Sequence, residues 1–403
     1  MINYLKEQIA LKAGRKIQNR GDCEYLSQLI EIETGEYLNY NTLRRFFGID
    51  KKEFKPRKAS LDILSRYIGY RSFDHLSASH PHKMLFDQNQ KTYELLLEFD
   101  PTSLASYYKK LSFNSKLNYI TDVCRHGILT KQIEQLCLTL DNMRIEFDYF
   151  SYDEVVVIGN SIGPLLRKIE LREKDWEKIL NNYFFNKFIF EIFVDYSSLN
   201  SYYYHFLVHP PFDKQQQLFK LSLRCLRDYL NLNKTKSGKE LLNQCKQADL
   251  HPILFGRVLS LPLYHEESVI EEFKKIDSLS LEHLYEPMVA TITTSKFELY
   301  ELIKRVLSKN FKSQIYRHAH YYQVYLLMKS CYLYKTGQFK KAIKSLKEID
   351  LSDLRFSYKG FLSFFYFLLD FKLTGKSTSR LKIDEINEKL GYKRFDMNFV
   401  EKY

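Results

Sequence analysis

The chain has 403 residues and a net charge of +12, with 14 glycines and nine prolines. Length alone predicts two or three domains and ample material for a core. So little Gly and Pro, alongside abundant Leu, Lys, Glu and Ile, excludes collagen-like or low-complexity chains and predicts a nearly all-α protein. The charge favours anionic partners, although a Lys-, Asn-, Ile-, Tyr- and Phe-rich composition can equally reflect genomic base composition.

Six cysteines at 23, 124, 137, 225, 245 and 331 form no CxxC or Cys/His metal spacing. They read as reduced, buried thiols of a cytoplasmic protein. The opening MINYLKEQIALKAGRKI has no uninterrupted apolar core, so no signal peptide is expected. The most apolar stretches, Tyr183–Leu199 and Phe361–Leu373, are respectively interrupted by charge and too short to span a bilayer, and no membrane association is expected.

In chain order, apolar residues at 2, 5, 9 and 10 predict a first helix over Ile2–Ala13, closed by Gly14. Asp22 is a candidate cap for a second helix that runs to Gly35. Asn39 then caps a short helix, NYNTLRRFFG, with Leu43, Phe46 and Phe47 inward and Tyr40, Asn41 and Arg44 outward. A basic loop, IDKKEFKPRK, follows, and Pro56 keeps it non-helical. Ser60 is read as the cap of a fourth helix, SLDILSRYIGY, and Ser72 opens a short fifth one, SFDHL.

These residues resemble the lambda-repressor/Cro-like helix-turn-helix family over roughly residues 20–78. Leu61, Leu64, Ile68, Gly69 and Leu76 fill that family's closing Leu-x-x-Leu…Leu-Gly…Leu pattern. The link Gly35–Leu38 is longer than the family's usual turn. The resemblance implies double-stranded DNA as partner, with Tyr40, Asn41 and Arg44 at the base-facing positions. Arg suits guanine O6 and N7, and Asn suits adenine N6 and N7. Arg45, Lys51, Lys52, Lys55, Arg57 and Lys58 are then placed for phosphates. Between Asn39 and Arg71 there are nine Lys or Arg against three acids, a far denser excess than in the whole chain. The competing reading is a trihelical module that docks a protein.

Beyond His80-Pro81-His82 the chain turns to aromatic-rich amphipathic helices. In KSCYLYKTGQFKKAIKSLKEIDLSDL, Ser330, Leu333, Gly337, Phe339, Ala342 and Leu346 are spaced as in the tetratricopeptide repeat, and the segment resembles one copy of it. The expected organisation is a helix-turn-helix bundle over 1–80, a linker over 81–90, and a divergent TPR-like helix-hairpin solenoid over 91–403, with Leu381–Leu390 as a capping helix. The joined layout is similar to the peptide-sensing regulators of Gram-positive bacteria, which implies a homodimer and a peptide or protein effector on the body.

Chemistry finds little support. Gly159-Asn160-Ser161-Ile162-Gly163 matches the G-x-S-x-G elbow, but no alternation of strands and helices surrounds it, and a turn between helices explains it more simply. His80/His82 and His318/His320, two apart, cannot share one helix face, so no metal site is expected. No phosphate-binding glycine loop is present, and no cofactor is expected.

Overall fold

The structure, a computed structural model, describes all residues except 51–54, 147–148, 234–237, 239–241, 244–249, 275–278 and 311–318; at 80–84, 114, 308–310 and 319 it describes backbone alone. Every regular element among the described residues is helical. The chain divides into two compact units, Met1–Glu98 and Phe99–Tyr403.

Among its described residues the first unit has five helices: α1 (Ile2–Lys12), α2 (Arg20–Thr34), α3 (Tyr40–Phe47), α4 (Lys58–Tyr67) and α5 (Phe73–Glu98). Asn19, not Asp22, caps α2. The Asp22 N–H donates to Asn19 Oδ1 at 3.0 Å, and the Asp22 carboxylate accepts from the Asn19 N–H at 3.2 Å, a reciprocal capping box. α4 begins at Lys58, two residues before the expected Ser60, because the chain leaves Pro56 extended at Arg57 and the Leu61 N–H already reaches Arg57 O at 3.1 Å. The fifth helix is much longer than the expected SFDHL turn. It runs through residues 81–90, read above as a linker.

The core of this unit follows the predicted spacing. Leu5 and Ile9 of α1, Leu26 and Ile30 of α2, Leu43 and Phe46 of α3, Leu64 and Tyr67 of α4, and Leu76 of α5 form one buried cluster. Burying each such side chain is worth about 1.5–3 kcal/mol. The Ser27 hydroxyl donates to Leu38 O at 2.6 Å, which ties the α2–α3 link to the helix before it.

The second unit opens with α6 (Pro101–Lys110), α7 (Phe113–Leu129), α8 (Ile133–Met143), α9 (Tyr152–Lys168) and α10 (Glu173–Asn181). A π-helical stretch, Phe185–Phe190, leads to α11 (Tyr202–Val208) and α12 (Lys214–Leu230). α13 (Pro252–Leu259), α14 (Ile270–Lys274), α15 (Leu281–Thr294) and α16 (Tyr300–Asn310) follow. The unit closes with α17 (Ala319–Lys335), α18 (Phe339–Lys347), α19 (Phe356–Thr374), α20 (Ser377–Leu390) and α21 (Met397–Lys402).

α17 and α18 pack as a hairpin about Gly337, whose φ of 74° lies in the left-handed region that glycine tolerates. Ser330, Leu333, Ala342 and Leu346 are buried between neighbours, whereas Phe339 is 53% exposed. Leu381–Leu390 lies within α20, but the chain continues past it. The Arg394 guanidinium donates to Tyr229 O at 2.7 Å, and the Tyr403 hydroxyl donates to Ile292 O at 2.9 Å. An ideal solenoid makes contacts only between neighbouring repeats; these closures join segments more than a hundred residues apart.

The G-x-S-x-G run lies inside α9 rather than at a turn. Gly159 and Gly163 face the stretch after the π-helix, and a Cβ on Gly159 would come within 2.6 Å of Ile192. The glycines are there for close helix packing. Among the described residues no strand precedes them, and the run itself is helical, so it does not form the elbow geometry.

Charged networks form around the buried carboxylates of Asp195 and Glu286. Arg167 holds Asp195 with Nε at 2.7 Å from Oδ2 and Nη2 at 2.5 Å from Oδ1, and Tyr202 donates to the same carboxylate at 2.9 Å. Glu286 accepts from Arg257 Nη2 at 2.5 Å, from the Tyr358 hydroxyl at 3.0 Å and from the Tyr196 hydroxyl. The chain's one tryptophan, Trp176 of α10, is buried and stacks on His205 of α11 with ring centroids 5.3 Å apart.

The five described cysteines are buried; Cys245 lies outside the described residues. His320 is a core histidine. It accepts the Arg355 N–H at Nδ1 (3.0 Å), so the ring proton sits on Nε2 and faces the Tyr285 hydroxyl at 2.7 Å. His318 lies outside the described residues, as do the side chains of His80 and His82. Among the described residues no three His, Cys, Asp or Glu gather as a metal site, and no helix is long and apolar enough to cross a membrane.

Candidate nucleic-acid interface

α3 is placed by its ends. The Asn39 side chain accepts the Asn41 N–H at 2.8 Å, closing the N-terminus, and Gly48 at φ 76° turns the chain away at the C-terminus. Leu43 and Phe46 anchor the inner face, and Lys6 of α1 stands over the Phe46 ring at 5.4 Å.

The sequence placed Tyr40, Asn41 and Arg44 together on the outer face. All three are half-buried, and Arg45 is the exposed side chain of the helix. Arg45 is therefore the outermost side chain, with Asn41 one turn before it on the same line and Tyr40 and Arg44 one turn apart beside them. Arg44 Nη1 reaches Asn41 Oδ1 at 3.4 Å, which aligns the two polar groups. Arg44 Nε is buried without a partner. Its charge lies close enough to Cys23 to oppose the rise that burial imposes on that thiol, which still ends at about 11.

Tyr40 packs against the core, and the Arg20 guanidinium lies over its ring at 5.0 Å. Arg20 is exposed, and Glu24 pairs with it at 2.7 Å and keeps it firmly protonated. Arg20 opens α2, and only the packing of α2 on α3 brings it to the leading edge of α3; no linear spacing signals that.

Of the remaining expected phosphate contacts, Lys55 and Arg57 are exposed, and neither forms an ion pair with a described residue. Lys58 is paired with Asp74 at 2.7 Å. Lys51 and Lys52 lie outside the described residues. Nearby, Arg66 pairs with Glu36, and Lys12 pairs with Glu33, so part of the local positive charge is spent on intramolecular partners. Such exposed pairs are worth little to stability, about 0–1 kcal/mol. Arg44 and Arg45 also occupy the last turn of α3, where cations complement the helix dipole whatever the helix binds.

Compared with family models, curated proteins and solved structures, the chain matches none of them.

The surface around α3 thus offers a bidentate-capable arginine and amide side by side, one exposed arginine on the same line, and cations on both flanks. That chemistry suits a polyanion with hydrogen-bonding edges.

Proposed function

We propose that the first unit is a helix-turn-helix head that reads double-stranded DNA, and that the protein is a cytoplasmic transcriptional regulator. The observation that carries this reading is the alignment of Asn41 with Arg44 and Arg45 on α3, flanked by exposed Lys55 and Arg57. A short helix with such an edge fits a major groove. Asn41 and Arg44 would read bases with Tyr40 beside them; Arg45, Lys55 and Arg57, together with Lys51, Lys52 and Lys58, would meet phosphates.

In the same reading the second unit is a TPR-like body of helix hairpins, of which α17–α18 is the most regular. It would pair two heads in a homodimer at a fixed half-site spacing and dock a peptide or protein effector. No cofactor or metal enters this reading, and no catalysis is assigned.

A second reading is an interaction scaffold whose head docks a protein. The half-burial of Tyr40 and the pairing of Lys58, Arg66 and Lys12 favour it. Selection of genomic DNA fragments by the purified protein separates the two, with wild type compared against an Asn41→Ala/Arg44→Ala variant. A repeated or palindromic motif enriched by the wild type and lost in the variant supports the regulator. Equal, weak recovery of random fragments by both refutes it and leaves the scaffold.

A further inference from the structure

Within the second unit, residues of α9, α12, α13, the start of α19 and the stretch around the π-helix line a partly open cavity of about 420 Å³. That volume suits a small organic molecule. Its walls are largely apolar and aromatic, with Val156, Ile192, Phe219 and Tyr358 among them.

Among the described residues, each charged side chain lining it other than Arg355 is in an ion pair. Lys187 is shared by Glu191 at 2.9 Å and Asp213 at 2.7 Å, and Arg257 is held by Glu286. Arg355 lines the cavity too, yet among the described residues no carboxylate stands within ion-pairing distance, and its guanidinium donates no hydrogen bond to any of them. Its neighbours are aromatic. The guanidinium lies 5.3 Å from the Tyr321 ring centroid, and Tyr152, Tyr285 and Tyr358 surround it. Burial pushes the Tyr321 hydroxyl up to about 12 and the Tyr285 and Tyr358 hydroxyls well above their usual range, so they stay neutral and put no negative charge beside Arg355; the Tyr358 hydroxyl donates to Glu286.

Two further groups of the lining add donors. Because His320 Nε2–H donates to Tyr285, the Tyr285 hydroxyl hydrogen is directed to a different acceptor. Arg257 Nε is buried without a partner. Arg355 also immediately precedes α19, whose N-terminus has no side-chain cap, so the positive end of that helix adds to the same potential. Arg355 thus presents a half-buried guanidinium over an aromatic ring, with its N–H groups available to an anionic group.

We infer that this cavity binds a small organic oxyanion, a carboxylate or phosphate ester on a compact apolar body, with Arg355 as its charge partner. The site is independent of the DNA-binding reading of the first unit.

The test is calorimetric titration of the full chain with 3-phenylpropionate and with phenyl phosphate, using neutral 3-phenylpropanamide as control. At least one anion should bind the wild type, and which one does separates carboxylate from phosphate ligands. Arg355→Gln should weaken that anion by about tenfold or more, as loss of a charge-assisted hydrogen bond does, and leave the amide unaffected. Arg355→Lys should retain most of the affinity. Failure of both anions to bind at millimolar concentration, or equal binding by Arg355→Gln, overturns the proposal. Tyr285→Phe removes one donor while keeping the ring, and should weaken the anion severalfold; unchanged affinity there also counts against the site.

Discussion

Gly163 of α9 lies so close to Phe193 that a Cβ at this position would stand 2.3 Å from the ring's Cδ1. The contact is made by a buried aromatic side chain with no room to withdraw. Gly163→Ala should therefore destabilise the second unit by about 1–3 kcal/mol, the usual cost of overpacking. Ser161→Ala, at a half-buried position on the same helix, should change stability little. Urea denaturation of both variants checks this, and equal stability of the two would contradict the packing described.

Glu286 is the acceptor for three buried donors: Arg257 of α13, Tyr358 of α19 and Tyr196 of the turn before α11. Glu286→Leu removes the counter-charge and strands the Arg257 guanidinium, so a loss of about 3–5 kcal/mol is expected. The double variant Glu286→Leu/Arg257→Met should recover a large part of it, because replacing a whole buried pair with apolar residues is often near neutral. Thermal melts of the single and double variants read this directly.

The pH dependence of stability should carry the mark of His320. Burial first, and the Arg355 charge second, hold its pKa well below the ordinary 6.5. As pH falls through 6.5 the unfolded chain takes up a proton that the folded chain refuses, so stability declines toward acid, by up to about 1.4 kcal/mol per pH unit for one such group. Above 6.5 this contribution is flat. His209, His251, His265 and His283 are lowered in the same direction by burial and add to the slope. His320→Gln should flatten the decline between pH 7 and pH 5 in denaturant titrations; an unaltered slope would remove His320 from the account.

Arg44 and Arg45 should separate in DNA binding if the head is a reader. Arg45→Ala should weaken all sequences alike and reduce the salt slope of log K by about one. Arg44→Ala should cost about 1–3 kcal/mol on a preferred site and relax its sequence preference. Competition binding at two salt concentrations distinguishes the two effects, and identical profiles for both variants would dissolve the assignment.

Helix existence in the first unit was legible from local signals. The apolar spacing in α1 to α4 and the glycines at 35, 48 and 69 marked the elements, since each obeys short-range rules of capping and burial. The caps themselves were less legible: Asn19 and Asp22 compete for one role, and only the reciprocal hydrogen bonds decide it. The length of α5 was hidden, because its sequence lacks a strong amphipathic period and reads as connector. In the second unit the helix hairpin at Gly337 could be read from spacing. The closures of Arg394 on Tyr229 and Tyr403 on Ile292, and the isolation of Arg355, arise from residues far apart in sequence and carry no local signature.

The stacking of Trp176 on His205 has a practical consequence. Because the chain has one tryptophan and it lies in the second unit, indole emission reports that unit alone, while far-ultraviolet dichroism sums the helices of both. Following the two signals through one denaturation resolves whether the units melt together or in sequence, with no label introduced. The single indole gives the larger unit its own clock.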